Sequence, residues 1–529
     1  MDSVHGKMRR NVEGDRLSAL PDDLIHKILS FIDIKEAIET SVLSSRWRFI
    51  WTSLPYLSFT TEDFSSLPKF SKFVSRVLSH RNNLTEVYSV KLTFRGKVSQ
   101  VAIKRILNYA FSHNIQQLNV VCLFDNVIEF PLSLFSSQSL KHLSWTMQLD
   151  RPRRYHYSSC ITSTWELPTL TTLDLHCVTL CVDEADKCIG IFSKCANLKN
   201  LRLKEFDIKG SNGFSICHPR LSNLTLENSH YNVKVINVVA PHLQNLNVRF
   251  CYAELVISTC VLASLLYKGA LPLHISTNSV HSPEKADICV TSPHTAHADQ
   301  IVCLLQQLHN VKFLSLNLEI VELLSSSVGL HLHQPSPFVN LKSLNIHPER
   351  VYWCEEEPPK VAMSTELKRY LLDGSPGAAF TMVLREEILA HKYTTELRVL
   401  LEKEKADMAH LDQGKTPVES HKPKVEMKLN SGENIAQIKS CWKNLGVQIE
   451  AGNEKANLII SKLQRIEKVL TKLPASKRAK IQPCFSSLCG EAKIAISQIT
   501  DCMKIQCDEN QDRLSFWFHE LATKLEPSS

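Results

Sequence analysis

Glycine is scarce in this chain, 15 of 529 residues. Folds that cradle phosphates in glycine-rich loops need glycine at fixed places, so the shortage argues against a nucleotide-dependent enzyme. The compact catalytic signatures are missing too. There is no Gly-x-Ser-x-Gly elbow, no phosphate loop with its Lys, and no His-Glu-x-x-His helix. No apolar run approaches the roughly 18 residues of a membrane span, and residues 1–20 lack the apolar core of a secretory signal. A soluble chain with no membrane partner is expected. Excess charge is small as well: Lys+Arg 61 against Asp+Glu 54 leaves a formal charge of +7, a weak field over this length, and no nucleic-acid groove is expected. The 17 Cys have no paired spacing, which fits reduced thiols in the cytoplasm or nucleus. Among 22 His, the pairs His294/His297 and His331/His333 have no Cys or carboxylate set at zinc spacing, so neither a metal nor another cofactor is expected. Cys177, Cys181, Cys188 and Cys195 read as small buried thiols.

What the chain has in abundance is leucine, 69 residues. Between Val87 and Ile346 a pattern Φ-x-x-Φ-x-Φ (Φ apolar) recurs ten times, from Val87/Val90/Leu92 and Ile115/Leu118/Val120 through Leu198/Leu201/Leu203 to Leu341/Leu344/Ile346. With 43% of residues apolar, a random triplet fills all three slots about 8% of the time, so ten in near-regular order are not chance. The spacing matches leucine-rich repeats, with one degenerate repeat expected between Ser276 and Ala298. The last two apolar positions are i and i+2 on a short strand and enter a shared core, while Asn119, Ser144, Asp174, Arg202, Thr225 and Asn247 between them face outward. Asn228 and Cys251 stand where such repeats often bond backbone in the loop.

The flanking segments read as helical. Pro21, Asp22 and Asp23 open a first helix carrying Leu24, Ile25, Ile28, Leu29 and Ile32; a second spans Lys35 to Leu43; Ser44 can cap a third bearing Trp47, Ile50 and Trp51. Beyond Glu355, Thr365 to Leu372 and Phe380 to Leu411 look helical, and residues 412–430 form a polar linker. From Ile435 through Trp442, Gly452, Ala456, Ile459 and Ile466 to Leu473, apolar or small residues alternate by three and four, the seam of a coiled coil. Gly452 and Ala456 would let a helix approach closely. Pro474 and Pro483 are expected to bracket a basic loop before a second helix from Cys484 to Leu525. The seam can pair within the chain or make a homodimer through residues 435–473.

Leu20-Pro21-Asp22-Asp23-Leu24-Ile25, Ile28-Leu29-Ser30-Phe31, the run Thr40 to Arg48 ending in Arg46-Trp47-Arg48, and Trp51 with Leu54-Pro55 resemble the F-box of plant F-box/leucine-rich-repeat proteins. One departure is Asp33-Ile34, where many relatives carry a Leu-Pro turn. The segment from Met363 to Met382 looks like the C-terminal extension of some plant members. Together the readings give an α/β fold in five parts: a three-helix F-box (15–59), a leucine-rich-repeat solenoid with a parallel β-sheet (85–350), a helical extension (360–411), a linker (412–430) and a helical hairpin or coiled coil (431–526). The resemblance covers roughly the first two-thirds of the chain, F-box plus repeats, and not the coiled-coil tail. It implies that Leu20, Pro21, Leu24, Ile28, Leu29, Val42, Leu43 and Trp47 dock the Skp-type adaptor of an SCF ubiquitin ligase, and through it a cullin. The repeats would then hold a target protein.

One candidate target contact and one rival reading stand beside it. The Arg151, Arg153 and Arg154 cluster could contact a target's carboxylate or phosphate, although solvated loops of this kind are commoner. The whole protein could instead be an SCF-independent scaffold organised by its coiled coil. Nothing in the residues speaks for an enzyme.

Overall fold

The computed structural model describes residues 17–95, 100–123, 136–148, 160–161, 165–181, 192, 194–209, 213–228, 233–270, 273–275, 282–291, 293–327, 329, 334–349, 363–413 and 431–525. Helix α1 (Asp22–Leu29) starts at Pro21, with Asp22 and Asp23 in its first turn at the positive end of the dipole. It buries Ile25 and Leu29. Helix α2 (Ile34–Glu39) opens with a reciprocal cap. The Asp33 carboxylate accepts the Glu36 N–H at 2.9 Å, and the Glu36 carboxylate accepts the Asp33 N–H at 3.3 Å. This cap is what Asp33-Ile34 supplies in place of a Leu-Pro turn, and Ile34 is buried behind it. A 3-10 turn (Thr40–Val42) leads to α3 (Trp47–Ile50). Ser44 does not cap α3, which starts after Arg46 with no side-chain cap; its hydroxyl lies 2.8 Å from that of Ser18.

The apolar triplets build one large sheet of thirteen strands. Their order in the sheet follows the chain: Tyr56–Thr60, Ser89–Arg95, Gln117–Leu123, His142–Gln148, Thr172–His176, Asn200–Lys204, Asn223–Glu227, Asn245–Cys251, Ser264–Gly269, Lys285–Val290, Phe313–Asn317, Ser343–His347 and Ala379–Met382. The first twelve pair in parallel. Leu57, Val90, Leu118, Leu143, Leu173, Leu201, Leu224, Leu246 and Leu265 stand in register, all fully buried, with a second row from Phe59 and Leu92 to Tyr267 two residues on. The degenerate repeat is the strand Lys285–Val290, whose Ala286 and Ile288 continue both rows. The sheet also begins one strand earlier than the periodicity suggests, at Tyr56–Thr60.

Among the described residues, segments between the strands pack their apolar side chains into the core. Early on they are helical: α4 (Leu67–His80) buries Phe70, Val74, Val77 and Leu78, and α5 (Gln100–Ser112) buries Ala102, Ile103, Ile106, Leu107 and Ala110. Between residues 160 and 275 they are short strands, which form separate three-stranded and four-stranded parallel sheets. Helices resume as α6 (Ala298–Gln307), α7 (Leu318–Ser326) and α8 (Thr365–Leu372). Asn228 and Cys251 are both buried. Asn317, also buried, ties backbone: its amide bonds both the N–H (3.0 Å) and the carbonyl (2.9 Å) of Val290.

The chain divides into two compact units between Thr381 and Met382, so the expected helical extension is split, α8 falling in the first unit and the helix after it in the second. The second unit holds α9 (Arg385–Gln413), α10 (Ser431–Lys472) and α11 (Ala475–Leu525). Its core joins Ala390, Leu397 and Leu401 of α9, Ile459, Ile466 and Leu470 of α10, and Phe485, Leu488 and Ala492 of α11. The seam from Ile459 to Leu473 is thus buried within its own chain; the side chains of Ile435, Ile438, Trp442 and Leu445 lie outside the described residues. At Gly452 a Cβ would fall 2.6 Å from the Met503 sulfur of α11, so the absent side chain does admit a close helix. Pro474 alone makes the break, because Pro483 lies inside α11 and no basic loop separates it from Pro474. Arg478 steadies the turn by donating to the Thr471 (2.8 Å) and Leu473 (3.0 Å) carbonyls at the end of α10.

Candidate functional site

Helix α1 is apolar on two sides. Ile25 and Leu29 face inward, while Leu24, Ile28 and Phe31, spaced i, i+4, i+7, form a stripe on the other side and are exposed. The second stripe leaves large apolar side chains in water among Asp22, Asp23 and Lys27. The turn after α2 extends the stripe chemically: Val42 is 87% exposed, and Leu43 is exposed beside it. Phe49 of α3 is exposed as well. Cations border the aromatic rings, with the Lys27 ammonium 5.4 Å from the Phe31 ring centre and the Arg48 guanidinium 5.3 Å from that of Phe49. Exposed apolar groups edged by polar ones are the anatomy of a protein–protein interface.

Of the eight residues expected to dock an adaptor, Leu24, Ile28, Val42, Leu43 and Pro21 are exposed and Leu20 is half-buried. Leu29 and Trp47 are 2% and 3% exposed and hold the three helices together from inside. No partner reaches them while the unit is folded. Phe31 and Phe49 belong to the exposed set and were not among the eight; the i+7 spacing of Phe31 from Leu24 is the signal that finds it.

The patch is held in shape by polar ties. Arg46 donates to the Asp22 carboxylate and the Ser18 carbonyl, joining the start of α3 to the start of α1. Its hydrogen bond holds the Asp22 carboxyl below the usual carboxylate range. Against the turn between α1 and α2 lies a groove of about 350 Å³ lined by Phe31, Asp33, Glu36, Tyr56, Ser58 and Lys91, where the helices meet the outward face of the first two strands.

That outward face is polar along the sheet. Asn223 donates to Asn200, and Asn245 to Asn223, each at 2.6 Å, and Asn200 donates to Thr172 at 3.0 Å, making a ladder of side chains across four strands. The predicted outward residues Asp174 and Arg202 sit in register and bond at 3.0 Å. Arg151, Arg153 and Arg154 lie outside the described residues, as do His331, His333 and Cys188. Burial pushes the Cys122 and Cys251 thiols up to about 12 and Cys195 to about 11, so these are inert packing groups. Among the described residues no cluster of three His, Cys, Asp or Glu is placed to hold a metal ion, and no helix is long and apolar enough to cross a membrane.

The F-box domain family matches residues 17–59, the segment that carries the exposed patch. An F-box/LRR-repeat protein of Arabidopsis thaliana is 31% identical over 222 residues, 41% of this chain and 68% of the relative. An F-box/FBD/LRR-repeat protein of the same plant is 29% identical over 357 residues, 63% of this chain and 68% of the relative. A second F-box/FBD/LRR-repeat protein is 30% identical over 222 residues, and there the chain spans about half (48%) of the relative's length. No solved structure matches. With an F-box at its start, triplet-built parallel strands behind it and relatives of that same order, the chain belongs to the plant F-box/leucine-rich-repeat family.

Proposed function

We propose that this protein is the substrate-recognition subunit of an SCF-type E3 ubiquitin ligase. The observation that carries the reading is the exposed Leu24–Ile28–Phe31 stripe with Val42, Leu43 and Phe49, lying inside the F-box match and covered by nothing in the chain's described residues. A Skp-type adaptor, leading to a cullin, is the partner that would cover it. The parallel sheet is then a leucine-rich-repeat solenoid whose polar outward face meets a target protein. Such a receptor performs no bond chemistry: it raises the effective concentration of a target lysine near a ubiquitin thioester carried by another subunit. The reading places it where thiols stay reduced, in the cytoplasm or nucleus.

Capture of a purified Skp-type adaptor by the full chain tests this. Wild type should retain the adaptor, and the double substitution Ile28→Asp with Val42→Asp should abolish retention while leaving the folded chain intact. An adaptor that fails to bind wild type, or binds both equally, sinks the proposal.

A further inference from the structure

The strand Asn245–Cys251 is interrupted by a bulge: pairing with Ser264–Gly269 slips between Arg249 and Cys251, leaving Phe250 without a cross-strand partner. Phe250 also has φ +56°, the left-handed region. A bulky side chain there is strained, and such outliers persist where surrounding structure enforces them and the residue type is worth keeping. The left-handed corner itself belongs to the chain path, since Cys177 (φ +58°) and Glu205 (φ +43°) take it directly after the strands Thr172–His176 and Asn200–Lys204. What differs at 250 is the choice of an aromatic ring, and the ring is 37% exposed. A bulge that re-aims a side chain out of the ladder has placed a phenyl group at the rim of the outward face.

The charges around it are unevenly satisfied. Lys204 pairs with Glu227 at 3.5 Å, which occupies the carboxylate lying beside Arg249 in the register. Lys268, on the other side of Arg249, pairs at 3.4 Å with the buried Glu349 carboxylate and lays its ammonium 5.1 Å from the Phe250 ring centre. Arg249 itself is exposed; among the described residues its guanidinium donates to the Asn247 side chain (3.3 Å) and has no carboxylate within ion-pair distance. Next to Asn247 in the register, the half-buried Leu266 adds an apolar surface on the same face. An Arg with an unclaimed fork beside an exposed aromatic is the composition of an interface hot spot.

We propose that the Arg249–Phe250 corner docks an acidic segment of the target polypeptide, a carboxylate entering the Arg249 fork and a neighbouring apolar side chain lying on the Phe250 ring. This rests on the receptor reading above and gives its target a chemistry. It also explains the strain, because glycine would fit the corner better but would present nothing.

The full chain, with three fluorescein-labelled decapeptides centred on Glu-Phe-Glu, Gln-Phe-Gln or Lys-Phe-Lys, provides the test by fluorescence anisotropy. The acidic peptide should bind saturably and the basic one should not. Arg249→Glu should weaken acidic-peptide binding by about tenfold or more. Phe250→Gly should weaken it by about fivefold while holding or raising the melting midpoint, since it relieves the left-handed strain. Acidic-peptide binding that is absent in wild type, or unchanged in Arg249→Glu, overturns the proposal, as does a midpoint that drops several degrees in Phe250→Gly. Adaptor capture run in parallel separates the two readings: loss of adaptor binding with intact acidic-peptide binding removes the ligase assignment and leaves this corner standing.

Discussion

Arg81 donates from Nη2 to the carbonyl oxygen of Leu54 at 2.5 Å, from Nη1 to that of Trp51 at 3.3 Å, and from Nε to the Tyr109 hydroxyl at 3.2 Å. It is 4% exposed, and burial lowers its pKa from the ordinary arginine value. One side chain at the end of α4 therefore joins the close of the F-box to α5. Replacing Arg81 with Met should destabilise the first unit by about 2–4 kcal/mol, since buried carbonyls lose charged donors. Arg81→Lys should recover only part of this, because an ammonium cannot reach three acceptors in the plane of a fork. Denaturant midpoints of the three chains check both statements.

Substitutions in the F-box should separate stability from binding. Leu29→Ala is expected to cost about 2–5 kcal/mol, as a buried leucine leaves a cavity. Val42→Asp should change stability by less than about 0.5 kcal/mol, its side chain being in water, yet remove adaptor capture. If Val42→Asp melts the domain or Leu29→Ala does not, the inward and outward faces of these helices have been assigned the wrong way round.

His218 should make stability sensitive to mild acid. Its ring is buried, with Nδ1 accepting the Arg220 N–H at 3.2 Å and Nε2 donating to the Cys195 carbonyl at 3.1 Å, so the folded site holds the neutral form. Burial depresses its pKa below the ordinary histidine value. Above about pH 6.5 its contribution is fully present; below that, the unfolded chain takes up a proton the folded site resists, and stability falls toward the lower folded pKa. One proton limits the slope to about 1.4 kcal/mol per pH unit. Urea midpoints at pH 7.5 and 5.5 should converge in His218→Gln relative to wild type.

At the α10–α11 crossing, Gly452→Ala should be nearly neutral, because a better helix former offsets a contact that the flexible Met503 side chain can yield. Gly452→Leu should destabilise the bundle by about 1–3 kcal/mol through overpacking. Equal thermal midpoints for wild type and Gly452→Leu would mean that the two helices are not close at this point.

The sheet was legible because each repeat states the same rule, and a residue such as Leu118 or Leu224 is supported by its counterparts on both neighbours. Lys285–Val290 was faint because its triplet is Pro283, Ala286 and Ile288, two of them weak apolar markers. Tyr56–Thr60 fits the same pattern as Leu54/Leu57/Phe59, but these residues also close the segment that resembles an F-box. For the docking patch, family likeness named a set of residues without separating Leu24 from Leu29, since two apolar stripes on α1 are equivalent until the other helices choose one. Pro483 misled for a related reason: an imino acid removes one helical bond, but the burial of Phe485 and Leu488 on the same helix outweighs that loss. The Arg249–Phe250 corner had no sequence signal, because a bulge and a left-handed φ are properties of the paired strands.

The match to the F-box ends at residue 59, inside the strand Tyr56–Thr60, which is hydrogen-bonded to Ser89–Arg95. Excising the F-box would therefore strip the terminal strand from a parallel sheet. The row of N–H and C=O groups it leaves on Ser89–Arg95 is a template for joining other chains, so the truncated protein should aggregate. Loss of activity on such a deletion would report insolubility as readily as lost adaptor, and point substitutions on the outer stripe avoid that confusion.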